Sequence, residues 1–305
     1  MSSARTIEGD RRWLAYAALG ASVLGLSWSS IFVRWAAIPG PASAFHRVLI
    51  AAAVLVPWRS ARRATRAPGS RAMLLALAGG AFFAIDLALF NTAVLRTPAA
   101  TAVLLGNNAP VFVGLATWLL FRRRPPASFW IGLALAIFGC GWIVAADAFT
   151  PGGAAIGDVA GDLLALAAAV FFAAYMLTTE HVRAEMDTLT FSTLAIVGSV
   201  VTLLVVCLAL GLPLHGYSGR TWAALFALGL VSQLAAYFAL VYALGHLSAT
   251  LTSVGVLAQV PLAALLAVPA LGEPVSRAQI TGGLLVLAGI YVVNRPETAE
   301  SQAAR

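Results

Sequence analysis

Ten apolar runs, each close to the length of a bilayer-crossing helix and separated by a few residues of turn chemistry, constrain this chain more than any other feature. They lie at about 13–34, 42–58, 72–94, 98–121, 128–147, 161–181, 189–211, 221–243, 248–271 and 277–294, and are called segments one to ten below. The breaks between them carry Pro39-Gly40-Pro41, Arg122-Arg123-Arg124-Pro125-Pro126, Pro151-Gly152-Gly153 and Gly272-Glu273-Pro274. Such clusters end helices. A crossing helix needs about 20 apolar residues, and ten of them would use roughly 200 of the 305. With 61% of residues hydrophobic and 10% charged, the excess of apolar side chains is too large to bury inside one water-soluble globule. The sequence predicts an all-α polytopic membrane protein.

The basic residues exclude further classes. All 19 are arginine. A chain without lysine has no Walker A lysine to hold ATP phosphates and cannot form a retinal or pyridoxal Schiff base. The net charge of +7 does not point to nucleic acid, because the arginines cluster in the short loops. With the amino terminus inside, Arg5, Arg11, Arg12, Arg59, Arg62, Arg63, Arg66, Arg71, Arg122, Arg123, Arg124, Arg183, Arg295 and Arg305 fall on one side. Arg96, Arg220 and Arg277 fall on the other. This bias places both termini in the cytoplasm. The first run follows a basic leader but is too long for a signal-peptide core, and reads as a helix. Cys140 and Cys207 read as small buried hydrophobes. Four scattered histidines give no metal site, and neither a GxSxG elbow nor an HExxH helix is present. No cofactor is implied.

An offset of about 150 residues superposes the chain on itself. Gly132 and Gly139 fall on Gly282 and Gly289, Ala93 and Ala99 on Ala243 and Ala249, and Pro110 lies 151 before Pro261, which sets Asn108 against Gln259. Five segments per half is an odd number, so the second half enters the membrane in the opposite direction. Inverted repeats of this kind build alternating-access transporters with the substrate site near the midplane. The expected organisation is a segment 1–12, a repeat 13–147, a linker 148–160, a repeat 161–294 and a tail 295–305.

The same residues resemble the drug/metabolite transporter superfamily, specifically the EamA-type ten-helix exporters. The resemblance rests on Ser27-Trp28-Ser29-Ser30, Phe45-His46-Arg47, Gly161-Asp162-Leu163-Leu164-Ala165-Leu166, Tyr242-Ala243-Leu244, Pro261 through Leu271-Gly272-Glu273, and Gly282 to Gly289. It covers about residues 13–294, with Phe121-Arg122 where the first repeat would carry Gly-Glu. It implies a bacterial inner-membrane carrier, usually an exporter, acting on a small-molecule substrate. In length and layout the chain is similar to aromatic amino-acid exporters of the YddG type. That likeness implies export of amino acids with ring-bearing side chains. Other metabolites or cationic drugs are the alternative within the class. A scaffold or receptor would lack polar residues at depth, and an enzyme would need a nucleophile–base pair or metal ligands. Function as a monomer is expected.

Polar residues in hydrocarbon need partners or water, which singles out Asn107, Asn108, Gln233 and Gln259, each close to mid-membrane. These amides serve either a substrate or the gluing of helices. Pro110 and Pro261 follow the amides and loosen the helix. Trp28, Phe171, Phe172, Tyr175, Tyr237 and Tyr242 form either aromatic walls or ordinary packing. Arg47 lies roughly 9 Å and Asp86 roughly 13 Å deep from the same side. They read as a mutually neutralising ion pair, or as a carboxylate anchor and a coupling-proton carrier. Asp158 and Asp162 oppose a helix dipole at the start of segment six, while Glu180 and His181 reach solvent at its end. Small residues at four-residue spacing predict close-packed faces on segment one (Ala17, Ala21, Gly25, Ser29), segment three (Ala76, Gly80, Ala84, Ala88) and segment eight (Ala223, Ala227, Ala235, Ala239, Ala243).

Overall fold

Surrounded by lipid, a backbone must satisfy its own hydrogen bonds, and a helix does so within one segment. A computed structural model describes residues 2–62, 68–94, 96, 105–120, 122, 124–148, 159–271 and 277–294. Each of the ten apolar segments is helical over most of its described residues, and no strand occurs among the described residues. Asp158, Ala99, Pro151-Gly152-Gly153 and Gly272-Glu273-Pro274 lie outside the described residues, as do the side chains of Ser30 and Cys140. Among the described residues, six helices are long and apolar enough to cross a membrane: Trp13–Ala36, Gly40–Ala61, Ser70–Ala93, Val159–Val182, Thr188–Ala209 and Gly219–Leu244. Four shorter apolar helices join them, Ala109–Leu119, Ala127–Gly139, Ala249–Ala263 and Ile280–Val293.

Side-chain exposure runs opposite to that of a soluble protein. Leu120 is 77% exposed, Leu119 68% and Leu74 67%, whereas Arg47, His46 and Gln233 are each only 3% exposed. Exposed apolar side chains in such numbers call for a lipid environment. The polar turns between segments are held by local caps. Asp187 accepts from the Thr190 N–H at 3.0 Å and opens segment seven, Ser218 accepts from Thr221 at 3.2 Å and opens segment eight, and Ser248 accepts from Leu251 at 3.3 Å and opens segment nine. Pro41, in the first turn of Gly40–Ala61, sits where a helix has no use for the missing N–H.

The helices meet at glycines. Gly132 abuts the Gly289 carbonyl oxygen and Gly289 abuts that of Gly132, while a Cβ at Gly139 would lie 2.6 Å from the Gly282 carbonyl oxygen. Segments five and ten therefore run antiparallel and touch backbone to backbone. The contact is reciprocal, because each glycine meets the repeat mate of the other. Further close approaches cross the chain. Gly80 abuts Ala195, Gly198 abuts Leu77, and Ser199 Oγ donates to the Gly80 carbonyl at 2.8 Å. A Cβ on Gly25 would lie 2.7 Å from that of Ala236, beside Ser232 Oγ donating to the Gly25 carbonyl at 2.8 Å. Segments two and seven are tied by Arg59 Nε to Thr190 Oγ1 at 3.0 Å and by the Cys207 thiol to the Pro41 carbonyl at 3.5 Å. The two halves thus interlock.

Three expectations need correcting. Segment one is not one helix: Ser2–Ser27 ends, and Ser29–Ala36 begins, at Trp28. The small-residue stripe is buried on segment three, but Ala17 and Ala21 of segment one and Ala223 and Ala235 of segment eight are exposed. Segment one instead buries Ala15, Leu19, Ser22 and Leu26, a face that gains more from larger side chains. Segment eight changes helix type, with Leu228–Ala235 forming a π-helical turn between Gly219–Ala227 and Ala236–Leu244. A π turn inserts an extra residue and rotates everything beyond it, so a stripe counted at four-residue spacing breaks there.

Replacing Gly132 or Gly139 by Ala should cost about 1–3 kcal/mol through overpacking against a carbonyl oxygen. Gly141→Ala, with nothing within 4 Å of its Cβ, should be neutral or stabilising; melting of the detergent-solubilised variants compares them. A second expectation concerns Asp187. Burial raises its pKa, but hydrogen bonds from the Thr190 hydroxyl (2.6 Å) and backbone N–H outweigh this and hold it below the usual carboxylate value. Its stabilisation is therefore full above the unfolded-state pKa and fades as pH falls through the lower folded value. Asp187→Ala should lose about 1 kcal/mol at neutral pH, with the gap to wild type closing in acid titrations.

Candidate functional site

The interruption at Trp28 organises the interior. Residues two apart on a helix point to opposite sides, so Ser27 and Ser29, flanking the break, serve different neighbours. Ser27 Oγ donates to the Val23 carbonyl at 2.7 Å and to the Gln259 carbonyl of segment nine at 3.3 Å. Ser29 Oγ accepts from Arg47 Nη1 of segment two at 3.3 Å. Trp28 itself stacks on Phe32 with centroids 5.7 Å apart, and joins none of the ring pairs around Tyr175 and Tyr237.

Segments four and nine are broken at corresponding places. Turns at 107–108 and 257–258 precede the helices Ala109–Leu119 and Gln259–Leu271. Backbone bonds tighten to three-residue spacing there, with Asn108 to Leu105 and Val111 to Asn108, and Leu257 to Val254 and Val260 to Leu257. Pro110 and Pro261 fall in the first turns of the second helices, where the absent N–H is tolerated. They start new helices rather than bend continuous ones. Gln259 Nε2 donates to Asn107 Oδ1 at 3.0 Å and joins the two breaks. Asn108 Nδ2 turns back to the Leu105 carbonyl at 3.2 Å. The offset of 151 that aligned Asn108 with Gln259 differs by one from that of the turns, and it is Asn107 that reaches across.

Rings and charges meet between segments two, three, six and eight. Tyr237 lies 4.5 Å from Phe83 and 6.4 Å from Tyr175, centroid to centroid. Tyr175 is 5.0 Å from Phe83, 6.2 Å from Phe172 and 6.4 Å from Phe191. The Arg47 guanidinium sits over the Tyr237 ring, 5.8 Å from its centre. Asp86, half-buried one turn beyond Phe83, attracts Arg47 across the gap, yet no ion pair joins them among the described residues. Gln233 is buried within the π turn with its Oε1 lacking a hydrogen-bond partner. The same turn presses on segment two, since a Cβ at Gly229 would lie 2.7 Å from Ile50 Cβ and 3.3 Å from the Arg47 carbonyl oxygen.

Four of the residues singled out from sequence, Arg47, Asp86, Tyr175 and Tyr237, thus converge, while Asn107 and Gln259 form a second cluster and Trp28 stands aside. Tyr242 stacks with His246 at the end of its helix, centroids 4.5 Å apart. Sequence reasoning missed Phe83 as a member of the interior, and the hydrogen bonds that Ser27 and Ser29 make to Gln259 and Arg47. Phe83 had a signal, because it precedes Asp86 by three residues and so shares its helix face.

The chain matches the EamA-like transporter family twice, over residues 11–145 and 159–295. It is 30% identical over 219 residues to the uncharacterized transporter YwfM of Bacillus subtilis (strain 168), covering 70% of this chain and 72% of that one. A crystal structure aligns with a TM-score of 0.76 over 92% of this chain and 96% of that chain at 21% identity, which speaks to the fold alone.

For the amide cluster, a double-mutant cycle of Asn107→Ala and Gln259→Ala read by thermal unfolding should give a coupling of about 0.6–1.7 kcal/mol, the range of interhelical hydrogen bonds in membranes. A coupling of zero would show that the two amides do not work as a pair. Two tandem matches spanning most of the chain, an all-helical fold and apolar helices with polar residues buried between them identify this chain as a member of the EamA-like transporter family of the drug/metabolite transporter superfamily, a multi-pass membrane transporter.

Proposed function

We propose that the protein exports amino acids with aromatic side chains across the bacterial inner membrane by alternating access, through a central cavity between two five-helix repeats of inverted topology. The observation that carries the substrate is the ring cluster. Phe83 comes from one half of the chain, Tyr175 and Tyr237 from the other, and their faces meet beside a buried guanidinium. Aromatic rings stack on one another in offset or tilted geometry, and the cluster offers that geometry to a phenylalanine, tyrosine or tryptophan side chain. Trp28, Asn107, Asn108, Gln233 and Gln259 complete the proposed binding set, with Trp28 and the amides at the border of the cavity rather than against the ring.

Several features support the inverted arrangement with ten crossings. The reciprocal contact of Gly132 with Gly289 and of Gly139 with Gly282 is what a two-fold relation between the halves generates. Matching breaks in segments four and nine, bridged by Asn107 and Gln259, lie where inverted-repeat carriers interrupt their helices. Opening toward one side then separates one end of the bundle while the reciprocal glycine contacts act as the fulcrum. The arginine bias supports cytoplasmic termini. The protomer contains both repeats and so works as a monomer.

Proteoliposomes holding the purified protein should take up labelled phenylalanine and tryptophan saturably, and threonine at least tenfold less efficiently. Tyr237→Ala should remove most of that preference, whereas Tyr237→Phe, which keeps the ring, should retain it. Equal uptake of threonine, or no uptake in vesicles proven competent with another solute, would rule out the aromatic reading.

A further inference from the structure

A wall of rings recognises a side chain, yet the interior also holds polar groups with no employment in the fold. Arg47 is 3% exposed. Its Nη1 donates to Ser29 Oγ, but Nε and Nη2 have no hydrogen-bond partner. These two nitrogens form one edge of the guanidinium, with two parallel N–H groups spaced to match both oxygens of a carboxylate. A buried guanidinium left with free donors is costly, because desolvation is not repaid by a partner. Folding alone does not require it here: Tyr237 and Ser29 already hold the side chain, and Asp86 is not in contact with it.

Acceptors without hydrogen-bond partners lie on the elements packed beside Arg47. Asp86 is half-buried on segment three, its charge within reach of Arg47's field. Gln233 Oε1 is buried and has no hydrogen-bond partner, between Gly229, which packs at the Arg47 backbone, and Tyr237, whose ring faces the guanidinium. Free donors on Arg47, acceptors without partners nearby and rings packed beside them describe a small set of ligands: those carrying an anionic and a cationic group on one carbon, and an aromatic substituent.

We propose that this gap binds the head group of an α-amino acid, the Nε–Nη2 edge of Arg47 taking the carboxylate, and Asp86 together with Gln233 Oε1 taking the ammonium. The inference rests on the aromatic amino-acid reading above for its cargo, and adds which side chains read each end of it. Ser29 is then a positioning residue, fixing Nη1 so that the opposite edge faces the gap. The direct Arg47–Asp86 ion pair, one of the two readings of these residues from sequence, does not form, and on this proposal the zwitterion bridges the two groups instead.

The test is equilibrium binding to the purified full-length protein in detergent, followed by tryptophan fluorescence, with L-phenylalanine, phenethylamine and 3-phenylpropionate as probes. The last two lack the carboxylate and the ammonium respectively. Wild type should bind phenylalanine roughly 10-fold to 100-fold more tightly than either, the range lost with hydrogen bonds to a charged group. Arg47→Gln should lower phenylalanine to the level of phenethylamine and leave phenethylamine unchanged; Asp86→Asn should do the converse with 3-phenylpropionate. The wild-type comparison stands even where a variant fails to fold. Equal affinity for all three probes, or an Arg47→Gln loss shared equally by phenethylamine, overturns the head-group assignment while leaving aromatic export standing. Failure of all three to bind overturns both.

Discussion

Lipid is as apolar as a leucine side chain, so helices in a bilayer gain nothing by hiding from it, and association depends on how closely backbones approach. That constraint governs this fold. Close backbone approaches at Gly132 to Gly289, Gly139 to Gly282, Gly80 to Ala195 and Gly198 to Leu77 join elements distant in sequence, and three hydroxyls add bonds at or beside such sites: Ser199 to Gly80, Ser232 to Gly25 and Ser27 to Gln259. Large apolar side chains are correspondingly turned outward, as Leu74, Leu119 and Leu120 are. The interior is left to small residues and to polar groups that need one another.

Close packing of that kind leaves little freedom, and the irregular backbone supplies what remains. Four interruptions lie in the interior: at Trp28, at 107–108, at 257–258 and in the π turn Leu228–Ala235. Each breaks the helical hydrogen-bond ladder, and each is stitched to another element. Ser27 and Ser29 flank the first, Asn107 and Gln259 join the second and third, and Ser232 ties the π turn to Gly25. Such backbone is tolerated at membrane depth where it is enclosed by protein or lines a cavity. The path from Gln259 to Ser27, along the backbone through Trp28 to Ser29 and on to Arg47, connects the amide pair with the charged gap.

How much of this was legible in sequence depends on whether a feature is periodic or singular. The apolar segments were readable because hydropathy averages over many residues, and the glycine matches because an offset near 150 recurs along the chain. Arg47, Asp86, Tyr175 and Tyr237 could be picked out because polar or phenolic groups at depth are costly. Their mutual geometry could not, since it depends on helix rotation, and one π turn in segment eight is enough to move Tyr237 relative to a four-residue count. The repeat offset likewise sets Asn108 against Gln259, yet Asn107 makes the bond, since one residue turns a helix face by about 100° and repeat alignment does not fix which side chain crosses. The motif around Trp28 marks a helix break. Its value to the fold lies in the two serines that the break sends to opposite sides.

A last consequence concerns why the charged gap lies where it does. Segment eight meets segment two through Gly229 and segment one through Ser232, and presents Tyr237 to the Arg47 guanidinium. Its π turn holds one residue more than an α-helical path would, and shifting that bulge along the segment would rotate Tyr237 and Gln233 together. A ligand bridging Arg47 to Asp86 and Gln233 fixes that rotation, because it supplies the partners that the buried donors and acceptors lack. On the head-group proposal, cargo would favour the arrangement of segment eight that matches both of its ends, by the differential interaction of cargo with the alternatives. Binding and movement would then be coupled at the same few atoms, with the tightly packed glycine contacts as the fixed frame.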